Sequence, residues 1–520
     1  MASLPGSPQH LVPAFGAATS LQALSPVPSV QMCPICLDPL TSGVARVTLA
    51  CNHTYHVDCI NGAAANAHMN CPMCRGPVAH LQPATIGFDQ SHTVSRVIAP
   101  DAYALDATLE VQTNNTTSTA TSMTIEVVCQ NETESGEENR FGLATLTAGE
   151  ISSNLSADIV LLLDVSGSMM GPKLQTMKRT VHAIAAELRS GDRIGILAFD
   201  DNVKCVSQLT SSYQPSTVDE LVANGGTDMK RALQHAEAML TQRRQKNPIS
   251  AIIFLSDGVD SCNASFTSTS MASVRAVASW VNVIGLGADH DARALSDIAE
   301  HGGGTFAYVA NVDGLPAAVG AAVGTLTSVC ATDVRIEVLN EQLNVGVMCA
   351  GEVKRLLFEV ADGAVPRARV LFTDTNGVHH DEIHNVKDGV TEDDLTAIYL
   401  ERARTLVKHA INGARASAER AFYAAAIGAL ETAKAKIGLM PRVRDTAVGR
   451  ALLASIAAAE ASCADARAFV THNGLAAMRS AGAAFNSQRY AGGTNTAPLQ
   501  ALFSTPSARV TEARVSQNAQ

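Results

Sequence analysis

Between residues 33 and 74 the chain reads Cys33-x2-Cys36-x14-Cys51-x-His53-x2-His56-x2-Cys59-x11-Cys71-x2-Cys74. Thiolate sulfur and imidazole nitrogen are the donors that tetrahedral zinc prefers, and eight of them arranged as four close pairs suit two zinc ions. Each short spacing lets one turn aim two ligands at one metal. The apolar residues inside the block are few: Ile35, Leu37, Val47, Leu49, Tyr55, Ile60 and Met73. They cannot build a core alone, so the metals supply much of the folding free energy, on the order of 10 kcal/mol per structural site. With four protein ligands each, both ions are expected to be structural, because a water-activating zinc keeps one position open.

A second constellation carries oxygen instead of sulfur. Asp164-Val-Ser166-Gly-Ser168 follows the apolar run Ile159-Val-Leu-Leu-Leu, Thr227 lies in Gly225-Gly-Thr-Asp, and Asp257 closes Ile252-Ile-Phe-Leu-Ser. Two carboxylates and three hydroxyls are hard donors, suited to Mg²⁺ or another divalent cation rather than to zinc. The plainer alternative is that the same residues cap helices and turns without a metal.

The elements that must bring those three loops together can be read from periodicity. Residues 157–329 alternate short, nearly continuous apolar runs (Ile159–Leu163, Ile194–Phe199, Ala251–Leu255, Val281–Ile284) with helical stretches at 173–189, 228–242 and 270–279. Buried parallel strands with crossover helices have this pattern, which predicts an α/β doubly wound domain. In such a sheet the carboxyl ends of the strands open onto a crevice, where separate loops converge. Flanking segments at 90–150 and 333–385 are β-rich. In the first, Ala107–Gln112 and Met123–Val128 alternate around a polar connection and predict a hairpin. A sandwich assembled from both flanks is an open alternative. Residues 391–480 read as a helical domain opened by Thr391 as N-cap with Asp394 three residues on. Residues 1–31 and 490–520 read as a disordered leader and a disordered tail.

Bulk properties narrow the class. A chain of 520 residues divides into several domains. Its formal net charge of −11 argues against a general nucleic-acid binder. No apolar stretch is long enough to predict a membrane span. Met1–Gln31 has no basic run followed by an apolar core, so no secretion signal is expected. Six of the twelve cysteines fall within residues 33–74 and the rest are scattered, a usage that suits a reducing, intracellular setting, cytoplasmic with nuclear placement left open.

Consecutive histidines at the fourth and fifth ligand positions resemble the RING finger of the two-histidine kind, here spanning residues 32–78. The resemblance implies a cross-brace: Cys33, Cys36, His56 and Cys59 on one zinc, and Cys51, His53, Cys71 and Cys74 on the other. It further implies a groove for a ubiquitin-conjugating enzyme made by Ile35 and Pro72, and a ubiquitin-clamping role for Arg75. One departure is Ala63, where many such fingers carry tryptophan. Asp164, Ser166, Ser168, Thr227 and Asp257 resemble the metal-ion-dependent adhesion site of the von Willebrand factor A domain, which implies Mg²⁺ and a protein partner offering a carboxylate. Together the two domains resemble the plant RING-plus-von-Willebrand-A ubiquitin ligases of the wavy-growth type. That likeness implies an E3 ubiquitin ligase whose A domain selects the substrate; a non-catalytic zinc-binding scaffold is the alternative.

Overall fold

Ile159–Leu163 offers no polar side chain to either face, so it can be satisfied only in the middle of a sheet covered on both sides. The computed structural model describes residues 46–48, 54–56, 123–131, 140–149, 155–214, 216–339, 341–361, 364–471, 473–493 and 497–519. The chain forms two units, Met1–Val94 and Ser95–Gln520.

In the first unit, β1 (Arg46–Thr48) pairs antiparallel with β2 (Thr54–His56), Arg46 opposite His56. Cys33, Cys36, Cys51, His53, Cys59, Cys71 and Cys74 lie outside the described residues, as do Ile35, Ala63, Pro72, Arg75 and the expected leader at 1–31. Of His56 only the backbone is described.

The second unit is built around β5 (Ala157–Asp164), buried along its whole length. It is joined by β6 (Arg193–Phe199), β7 (Val203–Thr210), β8 (Ile249–Ser256), β9 (Trp280–Leu286) and β10 (Phe306–Val309). The sheet order is β10-β9-β8-β5-β6-β7, parallel except for the edge strand β7. The crossovers carry α1 (Pro172–Glu187), α2 (Met229–Gln242), α3 (Ala272–Val277) and α4 (Ala292–His301), and α5 (Leu315–Leu326) follows the last strand. Alternate residues of β5 face opposite ways. Ile159, Leu161 and Leu163 pack with α1 and α5, while Val160 and Leu162 pack with α2, α3 and α4. This is the doubly wound arrangement expected from the apolar runs.

The flanking β segments meet. β3 (Met123–Cys129) and β4 (Arg140–Ala148) precede the α/β domain, and β11 (Val329–Val338), β12 (Glu341–Cys349), β13 (Val353–Val360), β14 (Arg367–Thr373) and β15 (His379–Asn385) follow it. They form the sheets β13-β4-β3 and β12-β11-β14-β15. Val127, Ala144 and Leu146 of the first share a core with Val334, Ile336 and Val370 of the second. The hairpin partner of β3 is β4, with Met123 opposite Ala148; the expected partner Ala107–Gln112 lies outside the described residues.

The helices that follow are α6 (Glu392–Ala418), α7 (Tyr423–Gly438), α8 (Ala447–Ser462) and α9 (Gly474–Ser487). Thr391 and Asp394 close a reciprocal capping box at the start of α6. The region expected to be a disordered tail instead carries α10 (Ala497–Phe503) and α11 (Pro506–Asn518). The reason is a close approach rather than an apolar face. A Cβ added at Gly320 would lie 2.8 Å from the Cα of Glu512, and one at Gly324 would lie 2.9 Å from the Cα of Ala508. Two glycines one turn apart on α5 let the α11 backbone sit against it; Ala508 is small and Thr511 polar, and the only larger apolar side chain at this contact, Val515, packs with Ala183 and Ala519.

A buried ionic cluster ties these layers together. Lys354 pairs with Glu352 at 2.7 Å and donates to the carbonyl oxygens of Ser487 and Gln488, ending α9. The Arg489 Nε donates to Glu352 at 2.8 Å, and its guanidinium stacks 4.6 Å from the Trp280 ring centre. Burial alone would raise the Glu352 carboxyl, but the charges of Arg489 and Lys354 outweigh it and bring it down to about 2. A carboxylate held below its unfolded value contributes stability above that unfolded value of 4.5 and loses it as pH falls toward 2. Glu352→Gln leaves two buried cations unpaired. In urea titrations at pH 7 it is expected to lose about 3–5 kcal/mol, and the decline of stability with acid below pH 4.5 is expected to flatten relative to wild type.

Candidate metal centre

The sheet order reverses between β5 and β8: from β5 the chain runs outward through β6 and β7, and from β8 outward the other way through β9 and β10. The carboxyl ends of these two neighbours therefore open on the crevice of the fold. Asp164 is the last residue of β5, and Asp257 directly follows β8. Both are fully buried.

The loop after β5 turns back on itself. The Ser166 N–H donates to Asp164 Oδ1 at 2.8 Å, and the Ser166 and Ser168 hydroxyls lie 2.9 Å apart. The Ser168 hydroxyl donates to Asp257 Oδ1 at 2.7 Å, linking the β5 loop to the β8 loop. The third loop is held to both. The Gly167 N–H donates to the Gly225 carbonyl at 3.0 Å. The Thr227 N–H donates to Ser261 Oγ at 2.9 Å, and the Thr227 carbonyl accepts from the Ser261 N–H at 2.8 Å. A Cβ added at Gly258 would stand 2.6 Å from Thr227 Oγ1, so the threonine hydroxyl lies against the Asp257–Gly258 backbone. The structure thus brings together all five residues singled out from the sequence.

It also adds residues that the motif did not name. The Ser256 hydroxyl donates to Asp164 Oδ2, and the Lys173 ammonium pairs with Asp257 Oδ2. Buried Asp260 accepts the N–H groups of Met229 at 3.1 Å and Ala264 at 2.6 Å, fixing the start of α2 beside Thr227. Ser256 and Asp260 flank Asp257 in sequence, but serine and aspartate in a loop are common enough that only geometry separates them from turn residues. Lys173 sits in α1, and nothing in its spacing announces a carboxylate partner.

Electrostatics follow from burial. The Asp164 carboxyl is pushed up to about 6 by burial, against hydrogen bonds from Ser166 and Ser256 that pull it down, and the charge of Asp257 adds to the rise. Two carboxylates and three hydroxyls on one crevice form a hard-oxygen donor set with excess negative charge, a fit for a small divalent cation. Asp164, Ser166, Ser168, Thr227 and Asp257 are the residues that would hold it. Among the described residues no group of three or more histidine, cysteine or acidic side chains could hold a metal ion. No described helix is long and apolar enough to cross a membrane.

Comparison with known proteins agrees with this geometry. The von Willebrand factor type A domain model matches residues 159–259, which contain all five site residues, and the Ring finger domain model matches residues 31–75. The chain therefore carries a RING finger and a von Willebrand factor A domain. It is 26% identical to E3 ubiquitin-protein ligase WAVH1 of Arabidopsis thaliana over 44% of this chain and 43% of that protein. It is 28% identical to E3 ubiquitin-protein ligase WAV3 of the same plant, over 36% of this chain and 25% of the relative. RING-H2 finger protein ATL60, also of Arabidopsis thaliana, is 43% identical over 11% of this chain and 18% of its own length. The chain spans less than half the length of these curated relatives.

Gly258 supplies a direct check of the crevice. Gly258→Ala forces the Thr227 hydroxyl aside and is expected to cost about 1–3 kcal/mol in urea unfolding. It should also abolish any rise in melting temperature that Mg²⁺ gives the wild-type chain.

Proposed function

We propose that this protein is a RING-type E3 ubiquitin-protein ligase, with its A-domain metal site holding a protein substrate or partner. The observation that carries the reading is the pairing of both domain matches in one chain that resembles two relatives named as ubiquitin ligases. In this reading Cys33, Cys36, His56 and Cys59 hold one structural zinc, and Cys51, His53, Cys71 and Cys74 hold the other. Ile35 and Pro72 receive a ubiquitin-charged conjugating enzyme, and Arg75 donates its planar fork to carbonyls on both that enzyme and ubiquitin. A substrate lysine amine then attacks the thioester carbonyl. The C–S bond breaks, the conjugating enzyme's thiolate leaves, the amine gives up a proton to solvent, and an isopeptide C–N bond remains. No covalent intermediate forms on this chain, and the reaction belongs to an intracellular setting.

Exposed apolar side chains beside the site support this role for the A domain. Met170 is 69% exposed and Val259 is 58% exposed, each two residues beyond a site residue, Ser168 and Asp257. Apolar side chains rimming a cation site suit a protein partner that completes the coordination with a carboxylate. A second reading, a zinc-bearing scaffold that binds without discharging ubiquitin, is favoured by Ala63, which removes a large apolar contact from the groove.

Two measurements separate these readings. With purified ubiquitin, activating enzyme and a broad panel of conjugating enzymes, the wild-type chain is expected to build ubiquitin chains that a Cys33→Ala, Cys36→Ala variant does not. Equal product from both would end the ligase reading, and binding without discharge would establish the scaffold. Asp164→Ala is expected to weaken substrate capture about tenfold or more, the loss of a charged contact, while leaving substrate-free autoubiquitination intact. Parallel loss of both activities would assign Asp164 to folding.

A further inference from the structure

The two carboxylates of the crevice are held by different chemistry. Asp164 accepts from neutral donors, the Ser166 N–H on Oδ1 and the Ser256 hydroxyl on Oδ2. Asp257 accepts the Ser168 hydroxyl on Oδ1, but its Oδ2 is taken by the Lys173 ammonium. Among the described residues Lys173 is the one cation paired with either carboxylate. The Asp257 side chain is fully buried and that of Lys173 is 30% exposed, so the pair opens to solvent on the lysine side.

The helix that carries Lys173 does not account for its position. Lys173 is the second residue of α1, directly after Pro172. Gly171 supplies no side-chain cap, and the first turn holds no acidic residue. A cation there opposes the helix dipole, whose positive end is the N-terminus. The compensating partner is Asp257, 84 residues away in sequence. The end of the lysine stem lies over Gly287, which directly follows β9: a Cβ added there would stand 3.6 Å from Nζ and 3.7 Å from Cε. Lys173 therefore reaches across the carboxyl ends of the strands to one specific site oxygen. An ammonium on that oxygen is a rival to any divalent ion. The oxygen cannot serve both at full strength, and two cations in one poorly screened crevice repel each other.

We propose that the Lys173 ammonium and a divalent cation compete for Asp257, a role that rests on reading the crevice as a cation site. Without the ion, Lys173 offsets one of the two buried negative charges and keeps the β5 and β8 loops in register with α1. Cation binding gives up that ion pair, so the affinity is the difference between two interactions and not the full strength of the donor set. A site weakened in this way follows the cation concentration around it instead of staying saturated.

Mn²⁺ titration read by electron paramagnetic resonance, with thermal melting in the presence and absence of Mg²⁺, tests this on the full chain with its zinc finger loaded. Lys173→Met is expected to bind Mn²⁺ about tenfold or more tightly than wild type. Without added Mg²⁺ it should melt below wild type, and saturating Mg²⁺ should raise its melting temperature by more. Lys173→Arg keeps a cation for Asp257 and should bind Mn²⁺ as wild type does. Arg231→Met removes a half-exposed cation that pairs with Asp228 beside Thr227, and should change the affinity by less than about twofold. Lys173→Gln, with a neutral N–H donor for Asp257, gives the same comparison if Lys173→Met does not fold without Mg²⁺. Unchanged or weaker Mn²⁺ binding in the neutral variants, beside intact wild-type binding, would overturn the role of Lys173 and leave the cation site standing. An equal gain in Arg231→Met would also overturn it, by assigning the effect to general surface charge. Absence of Mn²⁺ binding in wild type and variants alike would end both the competition and the cation-site reading.

Discussion

Asp164 and Asp257 are two like charges buried side by side, and the α/β domain is arranged around keeping them there. Isolated carboxylates in a protein interior revert to the neutral form unless donors or a cation hold them charged. Here the donors are supplied by chain geometry: the Ser166 N–H and Ser256 hydroxyl on one carboxylate, the Ser168 hydroxyl and Lys173 ammonium on the other. Those donors come from two strand ends and a helix, and they can meet only because β5 and β8 are neighbours at the point where the sheet order reverses. Topology thus acts through a local electrostatic requirement.

The remainder of the second unit keeps that sheet edge from being a free-standing domain. Sandwich strands from before and after the α/β domain share one core, so the A domain is inserted into the sandwich. The Glu352, Lys354 and Arg489 cluster then fastens the sandwich to the end of α9 and to Trp280 of the central sheet. Replacing such a cluster with apolar residues could cost little, but removing one member is severe, because the others remain buried and charged. Register between layers is the property it secures.

Much of this was legible in the residues, unevenly and for physical reasons. Buried parallel strands announce themselves as apolar runs such as Ile159–Leu163, and the hard-oxygen residues stood out by type together with their places at the ends of those runs. The Thr391–Asp394 capping box was visible because its chemistry is local. What stayed hidden depends on contacts distant in sequence. β4 was not recognised as the partner of β3, since a hairpin register is set by pairing and not by composition. α11 was read as disorder because its contact face is Ala508, Thr511 and Val515, and its stability comes from Gly320 and Gly324 some 190 residues earlier, a distance no periodicity spans. The pairing of Lys173 with Asp257 was invisible for the same reason.

We propose that the crevice between β5 and β8 is a cation site built from Asp164, Ser166, Ser168, Thr227 and Asp257. Mn²⁺ binding followed by electron paramagnetic resonance tests it most directly, since the spin reports occupancy and oxygen coordination without any assay of activity. The wild-type chain with the zinc finger fully loaded is expected to bind Mn²⁺ stoichiometrically, with competition by Mg²⁺, and Ser168→Ala and Thr227→Ala variants that still fold are expected to lose the signal. A chain that binds no Mn²⁺ at the crevice, or variants that bind it as tightly as wild type, would contradict it.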